Sequence, residues 1–160
     1  MEGGKKVITV VCTGNVCRSP MAEFLLRHAL RNEPEPLSSC KVISAGVSAF
    51  PGDPPSRNAV EAMRKVKIDL QDHRSRPLTD QLLDISDLIL TMTSSHQEII
   101  RLQNPDLRTP VYRFREWMDS GTREVPDPFG GSLDVYLETR DSLAEAIPSV
   151  LHFLRTQFTK

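Results

Sequence analysis

"VVCTGNVCRSPMAE", Val10 to Glu23, passes from apolar residues into a cysteine, a run of small and polar residues, an arginine and then an amphipathic segment. Upstream, Lys5 and Lys6 precede VITVV, Val7 to Val11, a β-branched run without alternation. That is the pattern of a strand buried on both faces of a parallel sheet. Downstream, Pro20 falls in a first helical turn, where its missing N–H goes unneeded, and Met21, Phe24, Leu25 and Ala29 recur at helical spacing until Asn32 to Pro36 breaks the pattern. Strand, tight loop and helix thus follow one another directly.

The alternation repeats along the chain. Lys41 to Ser44 reads as a second strand, followed by the Pro- and Gly-rich "AGVSAFPGDPPS" and a helix from Arg57 to Val66. A short helix is expected from Thr79 to Ile85, a strand "DLILTM" from Asp87, and a helix to Gln103 capped by Ser95 with Glu98. Val111 to Phe114 suits a shorter strand. Ser132 is placed to cap a long helix carrying Leu133, Leu137, Leu143, Ile147, Val150, Leu151 and Leu154 on one face, with Pro148 marking a kink or boundary. Strands alternating with helices predict an α/β fold in three layers, about four parallel strands with helices on both faces, joined by right-handed crossovers. The 160 residues suit one domain, 1–160, with no linker or internal repeat.

In such sheets ligands bind at the carboxyl ends of the strands where the winding reverses, and the loop after the first strand is the usual place. There the backbone N–H groups of Thr13, Gly14, Asn15, Val16, Cys17, Arg18 and Ser19 lack helical partners and can converge as an anion cradle. Gly14 and Asn15 tolerate the tight backbone that aims amides inward. Phosphate is the natural occupant, and Arg18 adds a planar fork matched to two of its oxygens. Cys12 lies at the base of the loop, where helix dipole, amides and guanidinium all favour negative charge on sulfur. A thiolate aimed at phosphorus is a nucleophile.

Formal net charge is -1 with both signs interspersed, which excludes the basic stripe of a nucleic-acid binder. The opening MEGGKK leads into an apolar run too short for a signal-peptide core or a membrane span, so a cytoplasmic protein without membrane association is expected. Cys12, Cys17 and Cys40 are odd in number and form no CxxC or zinc-spaced pattern, which argues against a disulfide framework or metal site. Cys40 reads as a structural thiol. No cofactor and no obligate partner is called for.

Cys12 to Pro20 resembles the active-site loop of the low-molecular-weight protein-tyrosine phosphatases, whose pattern is Cys, any residue, Gly-Asn, an aliphatic residue and Cys-Arg-Ser-Pro. "SAGV" at Ser44, "DHRSRPLT" at Asp72, "DLILTMT" at Asp87 and "PDPFGGSLDVY" at Pro126 resemble further segments of that family in the same order, so the likeness covers nearly the whole chain. It implies a four-stranded parallel sheet, phosphorylated proteins or peptides as substrates, and a phosphocysteine intermediate on Cys12. The leaving oxygen then needs a proton. Asp127, between Pro126 and Pro128, reads by itself as a turn with a solvated carboxylate, and the resemblance makes it the general acid.

The resemblance also places Phe129 as a wall against a flat substrate group, with Phe50 as the opposite wall. It makes Ser19 a hydrogen-bond donor to the departing thiolate, and gives Asn15 and His73 the task of bracing the loop. Cys17 is positioned to trap Cys12 as a protective disulfide on oxidation. His28, His96 and His152 are assigned surface or packing roles, and Trp117 packing beside the acid loop.

Three reactions share this scaffold: hydrolysis of phosphotyrosine, hydrolysis of phosphoarginine, and arsenate reduction. Arsenate reduction needs resolving cysteines in later segments, and none follows Cys40. "DPFGGSLDVY" and "CRSPMAE" resemble the bacterial arginine-phosphatase subgroup. That subgroup usually carries threonine where this chain has Val16, whose apolar side chain suits a phenyl ring, so phosphotyrosine is the expected substrate. A phosphate-binding or redox-sensing module without catalysis would be expected to lack the thiol or the acid; here Cys12, Arg18, Ser19 and Asp127 are all present.

Overall fold

The β-branched run predicted as the first strand is β1, Val7–Cys12, and its lack of alternation has the expected cause: Ile8, Val10 and Val11 are all fully buried. These positions come from a computed structural model, which describes residues 4–159; residues 1–3 of the MEGGKK stretch and Lys160 lie outside it. The order continues as α1 (Arg18–Leu30), β2 (Lys41–Gly46), α2 (Arg57–Arg64), α3 (Asp80–Ile85), β3 (Leu88–Thr91), α4 (Ser94–Gln103), β4 (Val111–Arg113) and α5 (Leu133–Phe158). The four strands pair in parallel in the order β2-β1-β3-β4. Because the chain steps from β1 to β2 on one side and then back across to β3 on the other, the winding reverses at β1.

Two apolar layers cover the sheet. Ile8, Val10 and Cys12 face a core that includes Met21 and Leu26 of α1, Met63 of α2, and Leu143, Val150 and Leu154 of α5. Val11 faces the opposite side, packed with Leu83 of α3, Ile89, Ile100 of α4 and Val111. Each such buried aliphatic side chain contributes about 1.5–3 kcal/mol relative to exposure. Thr9 turns its hydroxyl to Ser86, 2.6 Å away, so this face stays paired even where it is polar.

Several boundaries differ from the sequence reading. β2 runs two residues further, through Ala45 and Gly46, because those residues pair with Val11 and Cys12 across the ladder. α2 stops at Arg64, with Lys67 in a left-handed turn at φ 65°. The cap of α4 is Thr93, not Ser95: the Thr93 hydroxyl accepts the His96 N–H, and the His96 ring accepts the Thr93 N–H in return. α5 runs through Pro148 without a boundary, and Ser132 is its N-cap residue by position with no side-chain capping bond. Trp117 stacks on Phe153 at 4.2 Å between ring centroids and packs on Tyr112, a cluster against α5.

Candidate active site

The loop from Cys12 to Arg18 leaves the carboxyl end of β1 at the point of reversal, and its carbonyls face the scaffold. Val47 N–H donates to the Cys12 carbonyl at 3.0 Å, Ser48 N–H to Thr13 at 2.9 Å, the His73 ring to Asn15 at 2.8 Å and Ser56 N–H to Val16 at 2.9 Å. With the carbonyls held outward, the loop amides are turned toward the hollow they surround. Asn15 takes the left-handed conformation at φ 59°, whereas Gly14 has no positive φ and a side chain there would meet only Val16, at 3.9 Å. The tight turn therefore rests on Asn15.

Asn15 also organises the sulfur. Its N–H points at Cys12 Sγ, 3.3 Å away, and its Oδ1 accepts the Arg76 N–H at 2.9 Å, which fixes the amide so that Nδ2 donates to Ser19 Oγ at 2.8 Å and Ser44 Oγ at 3.0 Å. With that lone pair of Ser19 occupied, its own hydrogen is free for Cys12 Sγ, 2.9 Å away. The chain ends on the buried Glu23, which accepts from Ser44 at 2.6 Å and pairs with Arg27; burial pushes its carboxyl up, against these two partners. Burial likewise pushes the His73 ring down, so it donates to Asn15 as a neutral imidazole.

Arg18 is 4 % exposed, with Nη1 donating to the Val125 carbonyl at 2.9 Å and Nη2 to Thr13 Oγ1 at 3.3 Å. Its Nε is the one buried side-chain nitrogen or oxygen among the described residues without a hydrogen-bond partner. A buried cationic donor left unpaired is costly, and an oxyanion in the loop is the partner that Nε and Nη2 together present. Asp127 stands across the opening, half exposed, with Oδ2 3.8 Å from Arg18 Nη2 and Oδ1 accepting the Phe129 N–H at 3.0 Å.

Cys12, Thr13, Gly14, Val16, Cys17, Arg18, Asp127 and Phe129 line one cavity of about 230 Å³. Phe129, largely exposed, also borders a larger neighbouring hollow with Arg57, Asn58 and Tyr136. Phe50 is exposed but lies outside the lining of both. Cys17 directs its sulfur to Ser56 Oγ (3.3 Å) and Tyr136 Oη (3.2 Å), and burial pushes its thiol up. Tyr136, which the sequence reading did not single out, has its phenol pushed up to about 12 by burial and by that thiol.

Two further residues border the loop with no sequence signal that places them there. Gly46 ends β2 beneath it, where a Cβ would sit 2.4 Å from the Thr13 carbonyl oxygen and 2.9 Å from Ala49 Cβ. His96, assigned to surface or packing, is buried and lies 3.0 Å from Thr13 Oγ1 through Nε2.

The strand order and the loop at its reversal define a parallel α/β protein with an amide-lined hollow beyond β1. Residues 7–160 match the family described as low molecular weight phosphotyrosine protein phosphatase, and the chain belongs to that family of hydrolases. It is 43 % identical over 140 residues to a protein-arginine-phosphatase of Bacillus subtilis, covering 88 % of this chain and 91 % of the relative. It is 36 % identical over 129 residues to the low molecular weight protein-tyrosine-phosphatase Etp of Escherichia coli, covering 81 % of each. A crystal structure of a YwlE mutant from Bacillus subtilis superposes with a TM-score of 0.84 at 38 % identity, over 94 % of this chain and 99 % of that one. No helix among the described residues is long and apolar enough to cross a membrane.

Proposed function

We propose that this chain, as one phosphatase domain over residues 1–160, removes the phosphoryl group from phosphotyrosine in proteins or peptides. The Cys12 thiolate attacks phosphorus while Arg18 and the loop amides hold the three equatorial oxygens, and Asp127 gives its proton to the tyrosine oxygen as the P–O bond breaks. The products of this step are free tyrosine hydroxyl, phosphocysteine and the Asp127 carboxylate. Asp127 then takes a proton from water, the resulting hydroxide attacks phosphorus, and the thiolate leaves toward the Ser19 hydroxyl, releasing inorganic phosphate. Asn15 and His73 keep the loop in place throughout.

The observation that carries the choice of substrate is the apolar flank of the cavity, Val16 on one side and Phe129 at its mouth, above an unpaired Arg18 Nε. A phenyl ring loses nothing against Val16, whereas a guanidinium would leave its donors unmet there. The second reading, phosphoarginine, is favoured by the 43 % identity to a protein-arginine-phosphatase. The test is kcat/KM on matched phosphotyrosine and phosphoarginine peptides, for wild type and Val16→Thr. Wild type should prefer phosphotyrosine, and the variant should move the ratio toward phosphoarginine by about tenfold. A wild type that prefers phosphoarginine overturns the first reading in favour of the second.

A further inference from the structure

His96 lies outside the machinery described above, yet it is buried and reaches into the phosphate loop. Its Nδ1 is an acceptor, since the Thr93 N–H donates to it at 3.2 Å, so the ring's proton sits on Nε2 and points at Thr13 Oγ1, 3.0 Å away. Thr13 Oγ1 therefore receives two hydrogens, one from His96 and one from Arg18 Nη2 at 3.3 Å, and both its lone pairs are used. Its own hydrogen is left for an acceptor in the cavity that Thr13 lines. The opposite end of the guanidinium is held by the Val125 carbonyl on Nη1. Two anchors thus set the plane of Arg18, and only Nε remains unpaired.

We propose that His96, acting through Thr13, is a positioning residue that holds the Arg18 guanidinium in the plane from which it grips the phosphoryl group. The proposal rests on the reading of Arg18 as the phosphate ligand. A protonated ring would repel Arg18, and the site keeps it neutral: burial first, then the charge of Arg18, push the His96 ring down to about 4, although Glu124 and Asp127 pull the other way. A histidine present only to cap α4 would be satisfied by Thr93 and would have no use for a directed hydrogen on Thr13.

The test measures inorganic phosphate affinity by calorimetry and kcat/KM on p-nitrophenyl phosphate for Thr13→Val, Thr13→Ser, His96→Leu, His96→Gln and the double variant Thr13→Val with His96→Leu. Thr13 is exposed and its replacement leaves the α4 cap intact, so Thr13→Val reports on the loop even if His96→Leu does not fold. Thr13→Val and His96→Leu should each weaken phosphate binding about tenfold, the order expected for a lost hydrogen bond near a charged group, and the double variant should be no worse than the worse single one. Thr13→Ser keeps the oxygen, and His96→Gln keeps both an acceptor for Thr93 and a donor for Thr13, so both should bind phosphate within about threefold of wild type. Thr13→Val with unchanged phosphate affinity, or additive losses in the double variant, overturns the proposal. Arg18→Ala separates the two layers: if it binds phosphate as wild type does, the reading of Arg18 itself fails, whereas normal Thr13→Val beside a dead Arg18→Ala sinks the His96 proposal alone.

Discussion

Arg18 and Asp127 stand within reach of each other at the mouth of the cavity. The carboxylate leans toward Nη2 at 3.8 Å while its other oxygen is tied to the Phe129 N–H, which holds the proposed acid at the rim of the cavity. An ion pair this long and half exposed contributes little to stability, in the range of about 0–1 kcal/mol, so removing Asp127 should leave the fold intact and expose its chemical role. Asp127→Ala should lower kcat/KM by about 100- to 10,000-fold for alkyl and phenyl phosphates. The loss should shrink steeply for leaving groups acidic enough to depart without a proton. A plot of log kcat/KM against leaving-group acidity checks this, because kcat/KM reports P–O cleavage apart from the hydrolysis of phosphocysteine that Asp127 also serves: the wild-type line should be nearly flat and the variant's steep. Parallel lines would remove Asp127 from the proton transfer and leave it only an electrostatic part.

At the level of elements, the loop is built by what packs behind it. Gly46, last residue of β2, is bonded on both sides to the following segment, its N–H to the Arg76 carbonyl at 3.0 Å and its carbonyl to the Leu78 N–H at 2.9 Å, so it cannot retreat from the loop. A methyl would strike the Thr13 carbonyl oxygen, the Ala49 Cβ and, at 3.1 Å, the Asn15 nitrogen; two of these are loop backbone, and the loop must give way. Gly46→Ala should therefore cost about 1–3 kcal/mol of stability and, at temperatures well below its midpoint, still bind inorganic phosphate at least tenfold more weakly than wild type. Denaturant unfolding with calorimetric titration checks both parts, and a destabilised variant with normal phosphate affinity would show that the strain is absorbed elsewhere. On the other flank, the first turn of α4 spans the phosphate loop and the acid segment: the Ser94 N–H donates to both Glu124 carboxylate oxygens at 3.1 Å, Arg113 holds the same carboxylate at 3.0 Å, and His96 reaches Thr13. The strands and helices that present these groups are legible from β-branched runs and helical periodicity, and the place of the Cys12–Arg18 loop from its small residues between a buried strand and a helix start. The α4 cap is hidden in the sequence because Ser95 with Glu98 fits the usual pattern of hydroxyl and acid three apart, whereas the pair that forms is Thr93 with a histidine, a residue that pattern does not include. The reach of His96 to Thr13 is hidden with it. The demand for glycine at Gly46 has no local signature either, since it arises where two loops distant in sequence meet.

For the molecule as a whole, reversal of the winding at β1 brings the end of a doubly buried strand, the start of α1 and the acid segment to one edge, and the cost of assembling them shows in how stability depends on pH. Buried histidines are part of that cost. His96 is 4 % exposed beside the Arg18 charge, with Glu124 and Asp127 only partly compensating, and its ring is pushed down to about 4 from an ordinary 6.5. The unfolded chain accepts a proton near pH 6.5 that the folded ring refuses until about pH 4, so this residue has no effect on pH dependence above that window and drains stability as pH falls through it. The slope from one such proton is about 1.4 kcal/mol per pH unit, and the full loss below pH 4 is about 3 kcal/mol. His73, also pushed down by burial, adds in the same direction; Glu23, pushed up by burial, favours the folded state as pH falls and opposes both. The difference between wild type and His96→Gln cancels those shared contributions, because glutamine keeps the hydrogen bonds without titrating. Urea unfolding at pH 7.0, 5.5 and 4.5 should show the two proteins diverging progressively as the medium becomes more acidic, with wild type losing the more stability. Curves that stay parallel down to pH 4.5 would mean that the folded ring protonates as readily as the unfolded one, and that the Arg18 side of the cavity tolerates a second cation.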